Sequence, residues 1–294
     1  MKLTNHHGLP DWLIEAVGYI QSKYEPGEKT DYSATSLAEP PMIAGLKYQY
    51  KDQLEQDASE ALAAFMGTCV HDSLEEAIKD NERYIVERRF YNTIHVPDSP
   101  TKKDFVISGQ IDLYDLETQH LSDHKITSTI KILRGDHSEY EAQASVNRWL
   151  MRANGYDPKS FSIAGFLKDW RRGESKRDSN YPNFPFKKLD LPFWSEEATE
   201  EYIRNAIIEK EFAKQGIMRP CTKEERWQRD GVFAIMKKGR KSSIRNLSTR
   251  EEAEQYIKDK DLKGVWIEER KGEAIRCDAG YCPVAQFCNQ SGPL

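Results

Sequence analysis

The sequence lacks a long apolar run, an excess of basic residues, and any internal repeat or low-complexity tract. A membrane-spanning helix needs about 20 consecutive, mostly apolar residues, so no segment is expected to cross a bilayer. Residues 1–7 contain no apolar segment typical of a signal peptide, and the expected location is therefore the cytoplasm. The net charge of −5 argues against binding a polyanion through global charge, but a local basic groove stays possible.

The chain has 294 residues, of which 38% are hydrophobic and 31% charged, enough for one large domain or two smaller ones. Hydrophobic periodicity predicts helices and strands that alternate as in an α/β fold with a mixed central sheet flanked by helices. Predicted helices lie at residues 13–23, 50–80, 139–153, 195–214 and 252–258, the last preceded by a capping box that starts at Ser248. Predicted strands lie at residues 84–91, 105–114, 120–126, 161–167, 231–236, 242–247 and 265–268, and residues 171–190 are predicted as a loop.

The most informative motif joins Gly109-Gln110-Ile111-Asp112 to Asp123-His124-Lys125, which begins eleven residues after Asp112. Both pieces lie in predicted strands of one hairpin, and Asp123 and Lys125 point to the same face because side chains alternate along a strand. Two carboxylates on one face can bind a hard divalent cation such as Mg²⁺. A neighbouring lysine can orient water or stabilise negative charge on a phosphate. This set is the minimum needed to hydrolyse a phosphodiester.

Gly-x-x-Asp followed by Asp-x-Lys on the next strand resembles the PD-(D/E)xK nuclease superfamily, in particular its RecB-like exonuclease branch. Upstream, Gly67 and His71 match the Gly-x-x-x-His helix of that branch. Downstream, Gln143 matches the first residue of its Gln-x-x-x-Tyr helix, although Asn147 stands at the tyrosine position. The last part of the chain also resembles phage-encoded proteins of this branch.

The resemblance implies a restriction-endonuclease-like core at residues 56–172, between an N-terminal segment (1–55) and a C-terminal metal-binding cysteine region (173–294). It implies an Mg²⁺- or Mn²⁺-dependent deoxyribonuclease, with exonuclease action on linear DNA as the expected mode. A recombination or annealing protein is a second candidate partner. The implied metal ligands are His71, Asp112, Asp123 and the backbone carbonyl of His124, while Lys125 would handle the attacking water and Gln143 would orient the lysine or the phosphate.

Each residue of this set also has a purely structural interpretation. Asp123 and Lys125 could form a surface ion pair that contributes little to stability. His71 could be a hydrogen-bonded helix residue, and Gln143 a helix-surface residue.

The basic run Lys237-Lys238-Gly239-Arg240-Lys241 could contact a DNA backbone or be a solvated turn.

The five cysteines are unevenly distributed, since Cys277, Cys282 and Cys288 are close in sequence and Cys221 can complete a set of four. In a cytosolic protein such spacing indicates a metal more often than disulfides, and four thiolates suit Zn²⁺ or an iron–sulfur cluster. The resemblance favours a [4Fe-4S] cluster, although the relatives use Cys-x2-Cys and place their fourth cysteine before the core. Zinc and unliganded thiols stay open. Cys69 is expected to be a small buried side chain.

Two other function classes stay open beside the nuclease. The first is a catalytically inactive DNA-binding or assembly protein built on the nuclease fold. The second is a zinc-binding regulatory protein in which the hairpin motif is incidental. The joint presence of Asp112, Asp123 and Lys125 favours the enzyme, because an inactive site has no chemical need for all three.

Overall fold

The structure of the chain, a computed structural model, describes residues 2–23 and 30–291. Two compact units are present, of which unit 1 contains Met1–Pro41 and Glu55–Met218 and unit 2 contains Met42–Leu54 and Arg219–Leu294. These boundaries differ from the sequence-based division, because residues 173–218 belong to unit 1 and residues 42–54 to unit 2.

The described residues form a mixed α/β fold, which confirms the α/β class predicted from the sequence. In chain order the strands are β1 (Lys2–Thr4), β2 (Tyr32–Ser33), β3 (Glu55–Asp57), β4 (Tyr84–Val86), β5 (Arg89–His95), β6 (Asp104–Gln110), β7 (Leu113–Asp115), β8 (His120–Thr127), β9 (Ser160–Leu167), β10 (Phe186–Leu191), β11 (Gln228–Arg229), β12 (Val232–Lys237), β13 (Arg245–Leu247), β14 (Val265–Arg270) and β15 (Glu273–Ala274).

The α-helices are α1 (Asp11–Lys23), α2 (Ala34–Leu37), α3 (Pro41–Gln49), α4 (Ala58–Ile78), α5 (Thr129–Arg134), α6 (Ser138–Ala153), α7 (Arg172–Ser175), α8 (Glu196–Lys214), α9 (Arg250–Asp259) and α10 (Ile275–Asp278). Side-chain caps fix several of their starts. Asp57 accepts from Ser59 N at the start of α4, and Ser195 accepts from Ala198 N at the start of α8. No helix of the described segments is both long and apolar enough to cross a membrane.

Unit 1 is built on a five-stranded sheet in the order β10-β9-β8-β7-β4 and a three-stranded sheet in the order β2-β6-β5. In the larger sheet β8 and β9 are parallel, and every other neighbouring pair is antiparallel. A parallel pair needs a crossover connection, and here α5 and α6 supply it. A further parallel pair, β1 with β3, precedes α4.

A long hairpin passes from the small sheet to the large one at a shared bend. Glu87 and Arg88 separate β4 from β5, and Ile111 and Asp112 separate β6 from β7. The bends face each other, because Glu87 N donates to the Asp112 carbonyl and Ile111 N donates to the Arg88 carbonyl. Glu87 has a φ of +44°, which is strained for a residue with a Cβ. The hairpin therefore presents two acidic side chains where it leaves regular pairing.

Helix α6 fills the core of unit 1 and packs against β5, β6 and α8. Its buried face includes Val146, Leu150 and Met151, which are fully enclosed. Gly109 on β6 permits this close packing, because an added Cβ would overlap Asn147 Oδ1 and lie 2.7 Å from Leu150 Cδ1. The glycine that precedes Asp112 in the motif is therefore a packing residue.

Unit 2 contains a three-stranded antiparallel sheet in the order β13-β12-β14, with α9 packed against it. A second, two-stranded sheet pairs β11 with β15. The stacked rings of Tyr50 and Phe287, 4.1 Å apart between centroids, join the two sequence segments of this unit.

Most elements predicted by periodicity are confirmed to within a few residues, including α6, α8, α9 and β9. The helix predicted at residues 50–80 is wrong in its first part, because a 3-10 turn (Lys51–Gln53) and β3 precede α4, which begins at Ala58. The single strands predicted at residues 84–91 and 105–114 are wrong, because each is divided by the bend. The loop predicted at residues 171–190 is wrong in its last part, where β10 pairs with β9. The capping box uses Thr249 and Glu252, one residue later than predicted.

Candidate metal centre

Three side chains from separate elements of unit 1 converge on one point. His71 comes from α4, Asp112 from the bend between β6 and β7, and His124 from β8. One ligand atom of each lies within 4.8 Å of the others, and all three side chains are partly buried. Two nitrogens and one oxygen at this spacing can hold a single metal ion. Imidazole ligands favour a transition metal over Mg²⁺, so Mn²⁺ suits this set better.

Asp112 is held by the backbone on one side and faces a histidine on the other. Its Oδ2 accepts a 2.5 Å hydrogen bond from His124 N, and its Oδ1 lies 3.7 Å from His71 Nδ1. Burial, followed by repulsion from the Asp123 carboxylate, raises the pKa of Asp112 to about 7. A bound divalent cation would favour the charged form of Asp112 and so offset both effects. A buried carboxylate with a raised pKa is therefore a candidate metal ligand.

The imidazole of His124 joins the cluster, whereas the sequence interpretation had assigned its backbone carbonyl. His124 Nδ1 is buried and has no hydrogen-bond partner among the described residues. Burial lowers the pKa of His124, which favours the neutral ring that binds metals. An unpartnered buried nitrogen beside a carboxylate fits a metal ligand better than a structural histidine.

His71 is oriented by Glu87, a residue that the sequence interpretation missed. His71 Nδ1 lies 2.8 Å from Glu87 Oε1, and Glu87 Oε2 accepts from Gln110 Nε2 at 2.7 Å. The hydrogen bond to Glu87 raises the pKa of His71 in spite of burial, and the charge of Asp112 adds to this effect. A ring that hydrogen-bonds a carboxylate is fixed in orientation, which is the usual role of such a partner beside a metal-binding histidine. The one available signal was the charged run Glu87-Arg88-Arg89, which interrupts the strand pattern.

Asp123 and Lys125 form an ion pair beside the cluster rather than joining it. Lys125 Nζ lies 2.6 Å from Asp123 Oδ2, and both residues come from β8. Burial opposes the charge on Lys125, but Asp123 and Asp112 outweigh it and raise the pKa of the lysine. Lys125 is therefore a protonated donor at neutral pH. The carboxylate of Asp123 lies outside the group of three whose ligand atoms meet.

Gln143 lies with Asp112 in the lining of one cleft. The same cleft exposes Arg89, whose guanidinium donates to Ser108 Oγ and Gln110 Oε1, both at 3.1 Å. The other residues that line it are Ser33, Ala34, Thr35, Glu87, Gly109 and Gln110. Asn147, four residues after Gln143, is buried on α6, and its Oδ1 has no hydrogen-bond partner among the described residues. Gln143 could therefore contact a substrate in the cleft, but Asn147 could not.

The four cysteines assigned to a metal site line one cavity within unit 2. Cys221, Cys277, Cys282 and Cys288 share it with the side chains of Arg226 and Arg276. Gln290 closes one side, since its Oε1 accepts from Cys221 N at 2.6 Å and its backbone N donates to Cys288 Sγ at 3.4 Å. The fifth cysteine, Cys69, is exposed on α4, so the expectation that it would be buried is wrong.

The electrostatics of this cavity fit a group bound through thiolates. Burial, the charge of Glu225 and repulsion from the other three cysteines raise the pKa of Cys221 to about 11. The Nε atoms of Arg226 and Arg276 are buried and have no hydrogen-bond partner among the residues that the structure describes. They offset the charge on Cys277 and Cys282, respectively. A metal would relieve the mutual repulsion of the thiolates, and the two arginines would balance the net negative charge of the bound group.

The separation of the cysteine sulfur atoms can be compared with that in a zinc site. A tetrahedral zinc with Zn–S bonds of about 2.3 Å places its sulfurs about 4 Å apart. No three cysteine sulfurs in the described parts of the chain lie within 4.8 Å of one another. The sulfurs are therefore not at the separation of a closed tetrahedral zinc site in this structure.

Comparisons with known proteins add little to this geometry. No protein-family model matches the chain, and no curated protein is significantly similar to it. One similar solved structure is described as "Crystal structure of SSO0001"; it is 18% identical, with a TM-score of 0.48, over 67% of this chain and 83% of that one. At this identity and TM-score the similarity says nothing about activity or site residues.

Proposed function

We propose that the chain is a metal-dependent deoxyribonuclease of the PD-(D/E)xK superfamily, RecB-like branch, with exonuclease action as the expected mode. The supporting observation is that the cluster of His71, Asp112 and His124 adjoins the ion pair of Asp123 with Lys125. In this proposal the sheets and helices around that site form a restriction-endonuclease-like core. The resemblance to phage proteins adds a role in phage-type DNA recombination, replication or processing.

The residues divide the chemistry between them. His71, Asp112 and His124 would hold Mn²⁺ or Mg²⁺, which when bound lowers the pKa of water and offsets charge on the phosphate. The raised pKa of Lys125 supports a role as a charged donor that orients the nucleophile, rather than as a base. Asp123 fixes the lysine, and Gln143 orients the phosphate in the cleft.

For the cysteine cavity we propose a structural [4Fe-4S] cluster, with zinc as the alternative. The support for a bound metal group is the lining of one cavity by four cysteines and two arginines, whose Nε atoms have no partner among the described residues. Such a group would stabilise the short elements around it, including α10 and the segment that ends at Cys288. The visible absorption of an anaerobic preparation distinguishes a cluster from zinc.

The test of the nuclease proposal is cleavage of end-labelled DNA by the purified chain. Linear single- and double-stranded DNA and a closed circle are incubated with Mg²⁺, Mn²⁺ or chelator. Asp112→Ala and Lys125→Ala should each abolish metal-dependent cleavage, because one removes a metal ligand and the other a charged donor. Asp80→Ala, an exposed aspartate remote in sequence from the motif, is the matched control and should cleave as the wild type does.

The substrates separate the possible outcomes. Degradation of linear DNA alone, abolished by chelator, supports an exonuclease, and cutting of the circle supports an endonuclease with the same site. No cleavage of any substrate by folded protein that retains its cysteine-bound metal would overturn the proposal. The catalytically inactive DNA-binding or assembly protein would then be the better assignment.

A further inference from the structure

The two units carry opposite net charge. Unit 2 contains 18 Lys and Arg against 13 Asp and Glu, a net charge of +5, whereas unit 1 carries −10. The overall charge of −5 therefore conceals a basic unit. A basic surface raises the local concentration of polyanions and accelerates their association.

The positive charge of unit 2 is concentrated on one hairpin. Residues 231–249, which contain β12, β13 and their connection, include five basic residues and no Asp or Glu. Their net charge equals that of the whole unit. We call the four cations at the end of β12 and the start of the connection the hairpin tip, which consists of Lys237, Lys238, Arg240 and Lys241.

The backbone of the hairpin tip is a tight turn on a supported strand. Arg240 N donates to the Lys237 carbonyl at 3.1 Å, and Gly239 has a φ of +86°. The four cations lie within five consecutive residues of this turn. Strand β12 lies at the centre of its sheet, and Ala234, Ile235 and Met236 are buried directly before the tip. The four cations therefore lie at the end of a strand that is packed in the sheet.

The charges of the hairpin tip are unpaired within the described part of the protein. All four side chains are exposed, and none forms an ion pair with another described residue. Elsewhere in unit 2, by contrast, Arg219 pairs with Glu225 and Arg270 with Glu268. Four free cations on one turn repel one another, so a binding partner with several negative charges would relieve an unfavourable arrangement.

We propose that the hairpin tip is a DNA-anchoring site that contacts successive backbone phosphates, separate from the residues that would cleave. The proposal rests on the proposed nuclease function for the identity of its ligand. Lysine and arginine contacts to phosphates hold DNA without reading its sequence, and each contact releases counterions. The hairpin tip would therefore provide sequence-independent affinity that weakens steeply as salt rises.

The test measures DNA binding as a function of salt. The full chain, in Ca²⁺ to avoid turnover, is titrated against fluorescein-labelled linear DNA of about 20 nucleotides or base pairs at several salt concentrations. The hairpin variant carries K237Q, K238Q, R240Q and K241Q. The control variant carries K258Q, K260Q, K263Q and K271Q, which remove the same charge from exposed positions of the same unit.

The hairpin variant should bind at least about tenfold more weakly at moderate salt, with a shallower dependence of log K on log salt. Each lost phosphate contact reduces that slope by about 0.9 on double-stranded DNA. The control variant should keep most of the wild-type slope. Equal weakening of both variants, an unchanged slope in the hairpin variant, or binding to anionic lipid vesicles in preference to DNA would overturn the proposal.

Cleavage assays test the anchoring site separately from the nuclease proposal. The hairpin variant should have a raised KM for long DNA and an unchanged kcat, and it should cleave a substrate of a few nucleotides as the wild type does. If the wild type cleaves nothing but binds DNA through the hairpin tip, the nuclease proposal fails and the anchoring site stands. If cleavage is normal and KM is unchanged in the variant, the anchoring site fails alone.

Discussion

At the scale of single residues, Asp112 shows how position changes the chemistry of a carboxylate. It lies in the bend between β6 and β7, where it is buried next to Asp123 and receives a hydrogen bond from His124 N. Its pKa of about 7 is far above the ordinary aspartate value near 4. In the metal-free protein this carboxylate therefore destabilises the fold when it is charged.

Asp112→Asn should remove that destabilisation and flatten the dependence of metal-free stability on pH. Below about pH 4 both folded and unfolded states hold the proton, so Asp112 makes no difference. As pH rises from 4 through 7 the unfolded state loses its proton first, and wild-type stability falls by up to about 4 kcal/mol. Urea unfolding at pH 4 and pH 8, in chelator, measures this difference.

The asparagine variant should match the wild type at pH 4 and exceed it at pH 8. Mn²⁺ should restore stability to the wild type at pH 8 and leave the variant unchanged. Asp80→Asn, on an exposed turn, serves as the control and should follow the wild-type profile. If Asp112→Asn and the wild type had the same dependence of stability on pH, the burial and charge repulsion assigned to Asp112 would be contradicted.

Glu87→Gln should weaken metal binding while leaving the fold intact. The variant keeps a side chain of equal size next to His71 and Gln110 but loses the charge that orients the imidazole. Partners of this kind typically contribute 10- to 100-fold in metal affinity, so we expect a loss of about that size for Mn²⁺. Calorimetric titration measures the affinity, and Glu82→Gln on the adjacent exposed turn is the control. Unchanged affinity would make Glu87 a structural residue only.

At the scale of elements, the site depends on a hairpin that is bent rather than continuous. The sequence pattern correctly predicts β8, β9 and α6, because periodicity depends on local sequence. It misses the bend, because the bend depends on hydrogen bonds between Glu87 and Asp112 and between Ile111 and Arg88, which are far apart in the chain. The motif residues could thus be listed in order, but Glu87 could not be added to them.

Gly109→Ala should destabilise unit 1 by about 1–3 kcal/mol, because the added methyl meets Asn147 and Leu150 on α6. The contact would push α6 away from β6 and shift Gln143, which lies on the same helix. Gly67→Ala is a matched control in the middle of α4, where an added Cβ meets nothing within 4 Å. It should stabilise the helix by up to about 1 kcal/mol.

Urea unfolding at neutral pH gives both free energies. A stabilising or neutral Gly109→Ala would contradict the close approach of β6 and α6. Opposite signs for the two glycine variants would show that packing, rather than helix or strand propensity, is the reason for glycine in the Gly-x-x-Asp motif.

At the scale of the whole molecule, the candidate sites are distributed over two units. The candidate metal centre lies entirely in unit 1, and the four-cysteine cavity and the hairpin tip lie entirely in unit 2. Unit 2 has only short strands and helices around its cavity, so a bound metal group would contribute directly to its stability.

Cys282→Ser should therefore abolish the bound iron or zinc and lower the temperature at which unit 2 unfolds. Metal analysis and visible absorption report the group, and fluorescence of Trp227 and Trp266 contributes a signal from unit 2. Cys69→Ser is the control, because Cys69 is exposed on α4 of unit 1. A Cys282→Ser variant with full metal content and an unchanged melting profile would argue for unliganded thiols.

The sequence by itself determined the α/β class, most helices and strands, and a set of candidate site residues, because hydrophobic periodicity and motif spacing are local properties of the chain. Only the tertiary structure decided which of those residues meet: His71, Asp112 and His124 form the cluster, while Asp123 pairs with Lys125. The tertiary structure alone also identified Glu87 as a partner of His71 and gave the boundary between the units. Distances between residues far apart in sequence depend on packing and long-range hydrogen bonds, which no local pattern encodes.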